Sequence, residues 1–142
     1  MNENIQLLDC TLRDGGHVNN AEFGKKTILS IVEALSNSNV DIIELGFLRN
    51  GDFSKNQSNY NTIEEARENL PPVIKNEKYS VMIRPDWYDI TQLNNCDNII
   101  DRIRFAFYYK DIELTKKYCE FVTKKGYKFI LNPVNVMGYT TE

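Results

Sequence analysis

Arg13, Asp14 and His17 fall in one short stretch, Leu8-Asp9-Cys10-Thr11-Leu12-Arg13-Asp14-Gly15-Gly16-His17, and His17 is the only histidine of the chain. Together they offer a fixed cation, a carboxylate and an imidazole. A guanidinium stays charged and presents a planar fork of donors, which suits it to holding an oxyanion. An imidazole can take or give a proton near neutral pH. A carboxylate can hold a hard cation, but one carboxylate does not make a metal site. Each residue also has a plain structural reading. Arg13 can pair with Asp9, Asp14 or Glu44, Asp14 can cap a turn or pair with Arg13, and a lone histidine can be an ordinary surface group.

Elements of a definite kind must position this stretch. An apolar run (Ile5, Leu7, Leu8) precedes it, so residues 5–10 are predicted as a first strand with the chemistry on the following turn. That is where parallel α/β folds carry their sites. From Ala21 to Ser38, Ile28, Ile31, Val32 and Leu35 recur at helical spacing. Asn20 is the expected cap and Glu22 suits the first turn. Val40 to Phe47 is a nearly continuous apolar run, as in a strand buried on both faces. A polar loop follows, Leu48 to Tyr60, longer than the usual βα connection and therefore read either as a lid or as a mobile surface loop.

Thr62-Ile63-Glu64-Glu65 matches a capping box, and Pro71-Pro72 would end the short helix it opens. Tyr79 to Arg84 is a third strand, and Asp89 caps a brief helix through Leu93. Ile99 to Tyr108 alternates, with Ile103, Phe105 and Phe107 on one side and Arg102, Arg104 and Ala106 on the other. The two arginines are assigned structural pairing, with Asp101 or Glu44. Leu114, Tyr118, Phe121 and Val122 mark a last helix with Gly126 as its C-cap. Tyr127 to Val136 is a fifth strand. Regular β-α alternation argues for a parallel sheet.

Thr11-Leu12-Arg13-Asp14-Gly15 resembles the opening signature of the DRE-TIM metallolyase superfamily, the pyruvate-processing aldolases and acyl-CoA lyases and synthases. Gly16-His17 is similar to the branch of the 4-hydroxy-2-oxovalerate aldolases, and Asn135-Val136-Met137-Gly138-Tyr139 resembles the end of the family's fifth strand. The resemblance implies a (β/α)8 TIM-barrel fold, of which residues 1–142 would be the N-terminal part, about five βα units. Such a barrel has eight strands and about 250 residues. A truncated piece is the favoured account. A half-barrel completed by a second copy, hence a homo-oligomer, and an open sheet standing alone remain as alternatives.

The resemblance further implies a lyase that makes or breaks a carbon–carbon bond beside a pyruvate-like enolate of a 2-oxo acid. Asp14 would bind a divalent cation, Mn2+ or Mg2+, Arg13 would hold the enolate oxygen, and His17 would move the proton of the 4-hydroxyl. Glu44 would organise the site, with Arg84 and Asn135 as further substrate-binding candidates. Arg84 departs from the aldolase pattern, and the family's His-x-His metal pair has no counterpart in a chain with one histidine. A Claisen-type acyl-CoA synthase and a catalytically inactive binding or assembly module are the alternatives. An aldehyde dehydrogenase partner is the association the aldolase branch implies.

Composition narrows the partners. A net charge of −3 carries no basic footprint for nucleic acid, and Lys116, Lys117, Lys124 and Lys125 read as the solvated face of a helix. No apolar run approaches the roughly 18 residues of a membrane span. Cys10, Cys96 and Cys119 are too few and too scattered for a disulfide framework or a zinc motif, so they are expected as buried thiols in a reducing cytoplasm.

Overall fold

The structure, a computed structural model, describes residues 5–74 and 77–139. Its elements run β1 (Leu8–Asp9), α1 (Thr11–Asp14), α2 (Gly16–Asn19), α3 (Lys25–Ser36), β2 (Ile42–Leu48), β3 (Asn59–Tyr60), α4 (Ile63–Arg67), β4 (Lys78–Ile83), β5 (Ile100–Phe107), α5 (Ile112–Lys124) and β6 (Lys128–Pro133). Every strand pairing is parallel. The sheet order is β1-β2-β4-β5-β6, with β3 pairing off the path onto β2. Each long strand is laid beside the one before it and the order never reverses. That is barrel winding, not the two-directional winding of a nucleotide-binding sheet. The fold is an α/β half-barrel, as the resemblance implies, with the parallel sheet that the alternation of elements predicts and a sixth, two-residue strand added inside what reads as a loop.

The two faces of the sheet divide by residue type. The outer face carries Ile43, Leu45, Val81, Ile83, Ile103 and Phe105, all fully buried, and the helices cover it with Ile28, Val32, Ala66 and Val122. Ile28 and Val32 stand one helical turn apart, so α3 presents one apolar stripe to the sheet. The inner face holds Glu44, Ser80 and Arg102 together with a small apolar group, Phe47, Met82 and Ala106.

Phe47 reaches that inner face through a bulge. Glu44 pairs with Ser80 and Phe47 with Met82, so three steps along β2 match two along β4. The extra residue is accommodated at Leu45-Gly46. Gly46 has φ +144°, and a Cβ there would stand 1.9 Å from the Ser58 carbonyl oxygen. Only glycine lets the chain before β3 cross β2 this closely.

Local chemistry sets the helix ends. The Thr62 hydroxyl accepts from the Glu65 N–H at 3.2 Å, and the Glu65 carboxylate accepts from the Asn61 N–H at 2.7 Å. This is a capping box shifted one residue outward. At the end of α5, Gly126 N–H donates to Thr123 O and Tyr127 N–H to Val122 O, with Gly126 at φ +91°. The pair forms a Schellman motif. Asn20 does not cap α3, as its position suggests it should. It closes α2 in the left-handed conformation, and α3 starts later, behind Gly24. The three cysteines are free, and they are half-buried, not fully buried.

At the far edge, β6 shows its outer face. Phe129 and Leu131 are 43% and 51% exposed and, with α5, line an apolar groove of about 360 Å³. Beyond β6, Val136–Gly138 form a single 3-10 turn.

Candidate functional site

The site is built at the C-terminal ends of β1, β2 and β4. β1 is followed at once by the short turns α1 and α2. The Asp9 carboxylate accepts from the Thr11 N–H (2.9 Å) and hydroxyl (3.1 Å), which folds the chain back over the strand end and sets Leu12 wholly in the core. Arg13 and His17, one turn apart, then face a common cavity. It measures about 350 Å³ and is lined by Arg13, Gly16, His17, Asn20, Ala21, Phe47, Arg49, Gln57, Asn59 and Trp87.

Arg13 is held from below. Its Nε donates to Glu44 Oε1 at 3.0 Å, and Nη1 pairs with Asp14. Glu44 is completely buried, and its other oxygen lies 3.1 Å from Arg104 Nε, an ion-pair distance without hydrogen-bond alignment. One carboxylate thus spans two guanidinium groups, Arg13 from α1 and Arg104 from β5. Burial pushes the Glu44 carboxyl up, against the opposing pull of Arg104 and then Arg13. Burial likewise draws Arg13 down, and the hydrogen bond and charge of Glu44, with Asp14, more than offset it, so its pKa is raised. Arg13 therefore stays charged, fixed in direction by Nε, with Nη2 free of hydrogen bonds to the described residues.

His17 is exposed and stands edge-on to Phe47, with centroids 6.3 Å apart. Phe47 in turn packs on Trp87 at 5.5 Å. Imidazole, phenyl and indole form one wall. Asn20 and Ala21 contribute another, with φ of +56° and +64°, two successive non-glycine residues in the left-handed region. Such backbone costs roughly 1–2 kcal/mol per residue and persists only where the surroundings enforce it. Here Ala21 O accepts from Ser58 N–H at 3.1 Å.

The polar segment 48–60, expected as a lid or a mobile loop, is instead stitched down and forms the cavity's remaining side. Gly24 N–H donates to Asn56 O, Gln57 Nε2 to Glu22 Oε1, and the Ser58 hydroxyl to Leu12 O. Arg49 N–H donates to Tyr60 O and Asn50 N–H to Trp87 O, both at 2.9 Å.

The sequence-derived candidates separate accordingly. Arg13 and His17 share the cavity, and Glu44 supports Arg13 from beneath. Asp14 is exposed, beside Arg13, with Cys10 Sγ 3.8 Å from its carboxylate. Burial raises the Cys10 thiol, which stays protonated. Arg84 does not line the cavity. It forms a two-point pair with Asp86 (3.0 and 2.6 Å) and lies 3.9 Å over the Trp87 ring, so it props the aromatic wall from behind. Asn135 is exposed beyond β6, in left-handed backbone at φ +59°, and does not line the cavity either. Arg102 pairs with Asp101 and Arg104 with Glu44, as their shared face predicts. Phe47, Arg49, Asn59 and Trp87 enter the cavity without having been singled out. Arg49 carried one usable signal: it directly follows a strand, where α/β barrels place functional side chains.

Among the described residues there is no group of three or more His, Cys, Asp or Glu side chains that could hold a metal ion. A hard divalent cation takes about six oxygen ligands. Asp14 offers one carboxylate, already paired, so these residues do not by themselves fit such an ion. No helix of the described residues is long and apolar enough to cross a membrane.

Comparison with known families gives one match. The family model described as HMGL-like matches residues 4–106, which covers the Arg13–His17 stretch, Glu44 and the cavity. None of the curated proteins matches the chain.

Proposed function

We propose that this chain, which belongs to the HMGL-like family, supplies the oxyanion-binding and proton-moving side of a carbon–carbon lyase acting on a 2-oxo acid. The observation that carries the reading is the joint placement of Arg13 and His17 on one cavity, with Arg13 fixed by a fully buried Glu44. Preorganised charge aimed at a developing oxyanion is a large term in catalysis, because nothing needs to reorganise when the charge appears. In an aldolase of this kind, His17 accepts the proton of the hydroxyl at C4, and the C3–C4 bond breaks. An aldehyde leaves, and the electron pair passes into the C2 carbonyl as an enolate, whose oxygen Arg13 receives. Protonation at C3 completes the pyruvate.

HMGL-like proteins are generally dependent on a divalent metal. Mn2+ or Mg2+ is the ion this reading implies, with Asp14 the carboxylate nearest to serving it. Since Asp14 alone does not make a site, no step is assigned to the ion. A reading as a binding module without turnover draws support from that same missing ligand set.

Deuterium exchange into the methyl group of pyruvate, followed by NMR with and without Mn2+, tests enolisation directly. Exchange that falls at least tenfold in Arg13→Gln is expected. Pyruvate binding with no exchange under either condition would leave the binding module as the function. Acetyl-CoA turnover with a 2-oxo acid would assign a condensing synthase instead.

A further inference from the structure

We infer that the cavity accepts a substrate bearing a second anionic group, remote from its 2-oxo acid end, and that Arg49 selects it. The inference rests on the reading above, in which Arg13 and His17 meet the reacting end. It concerns the opposite side of the same cavity.

The first ground is charge. Among the described residues no carboxylate lines the cavity, whereas two arginines do, in a chain of net charge −3. The two arginines are not equivalent. Arg13 is compensated by Glu44 and Asp14. The Arg49 side chain has no ion pair, hydrogen bond or ring contact to any described residue. A ligand with only the three carbons of pyruvate, engaged by Arg13, leaves that cation unanswered.

The second ground is position. Arg49 is exposed, but its backbone is not free to adjust. The backbone around Arg49 is tied at successive residues: Arg49 N–H to Tyr60 O, Asn50 N–H to Trp87 O, Asp89 N–H to Asn50 Oδ1 (2.7 Å), and Gly51 N–H to Asn61 Oδ1 (3.1 Å). The backbone that carries Arg49 is thus tied to two separate segments, 60–61 and 87–89, at the cavity's edge. Asn59 lies on the same side, and its amide opens onto the cavity with no hydrogen-bond partner among the described residues.

The third ground is room. About 350 Å³ is within the range of small-molecule sites, and the Phe47–Trp87 wall suits the aliphatic middle of a longer acid. The shared chemistry is an oxyanion, either carboxylate or phosphate, since a planar guanidinium fork binds both.

Trp87 is the only tryptophan and lines this cavity, so tryptophan fluorescence reports occupancy. The full chain and the variants Arg49→Gln, Arg13→Gln and Lys55→Gln would be titrated with pyruvate, 2-oxoglutarate, glutarate and 3-phosphoglycerate. Lys55, paired with Glu68 at 3.2 Å, controls for net charge. The expected result is 2-oxoglutarate binding about tenfold or more tighter than pyruvate, the scale of one charge-assisted contact, with the ratio collapsing towards one in Arg49→Gln. The tighter of 2-oxoglutarate and 3-phosphoglycerate identifies the oxyanion. Equal affinity for pyruvate and 2-oxoglutarate, or an equal loss in Lys55→Gln, overturns the role of Arg49 and leaves the 2-oxo acid reading standing. Glutarate binding as tightly as 2-oxoglutarate, and weakened by Arg49→Gln, keeps the anion site and removes the 2-oxo acid reading. No response to any anion removes both.

Discussion

Replacing Gly46 by alanine strikes the point where the fold and the cavity meet. A Cβ at Gly46 would stand 1.9 Å from the Ser58 carbonyl oxygen and 2.8 Å from its carbon. Both are backbone atoms, so no side-chain rotation relieves the overlap, and Ser58 must move. Three hydrogen bonds depend on where Ser58 lies: Phe47 N–H to Ser58 O (3.1 Å), Ser58 N–H to Ala21 O (3.1 Å), and the Ser58 hydroxyl to Leu12 O (2.7 Å). At about 1 kcal/mol each they amount to about 3 kcal/mol. The positive φ adds about 1–3 kcal/mol for any residue with a side chain. The expected cost is therefore roughly 4–6 kcal/mol, a large share of the about 5–15 kcal/mol that stabilises an ordinary domain. Gly24→Ala is the control. It has φ +81° with nothing within 4 Å of the added methyl group, so it carries the conformational cost alone, about 1 kcal/mol. Urea unfolding followed by far-UV circular dichroism measures both. A Gly46→Ala variant within about 1 kcal/mol of Gly24→Ala would refute the claim that the close crossing at Ser58 organises the site. If the variant folds, the reasoning requires weaker anion binding too, because Phe47, Gln57 and Asn59 are placed by that crossing.

Thr62→Ala removes the hydroxyl that caps α4, and a loss of about 1 kcal/mol in unfolding free energy is expected, read from a lowered urea midpoint; no change would mean that the Glu65–Asn61 contact suffices. Stability is also expected to fall in strong alkali. Burial first, and then the charges of Glu64, Asp89 and Glu65, push the Tyr88 phenol up to about 12. Burial pushes Tyr60, Tyr79 and Tyr127 up as well. A phenol titrates near 10 in the unfolded chain, so the unfolded state releases its protons first. This contribution is fully present below about pH 10 and is lost as pH rises through about 12. A urea midpoint that stays flat across that interval would show these phenols to be less buried than the structure places them.

How much of this was legible in the sequence depends on where each residue finds its partner. β5 could be read because its alternation is local: Ile103, Phe105 and Phe107 on one face and Arg102, Arg104 and Ala106 on the other follow from the pleat alone. The end of α5 at Gly126 and the start of α4 at Thr62 are equally local, each settled within one turn. Arg84 shows the same principle working against the reading. A strand-end arginine looks destined for a pocket, but Asp86 two residues on and Trp87 three residues on take up its charge and its face.

The segment 48–60 was opaque for the opposite reason. It has no hydrophobic period, and its hydrogen bonds go to Leu12, Ala21, Glu22 and Gly24, more than thirty residues away. Asn20 was misread because its left-handed backbone is tied to that same distant segment through Ala21. The motif residues Arg13 and His17 could be found, since their spacing is written in the chain. Their companions Phe47, Arg49 and Asn59 could not, because a bulge at Gly46 and the crossing at Ser58 decide which way they face. The legible half of the cavity is thus the half that, on this reading, handles the reacting bond. The half that only the fold assembles is the one with an unanswered cation and an unpartnered amide, and differences in substrate between members of one family would be expected to lie there.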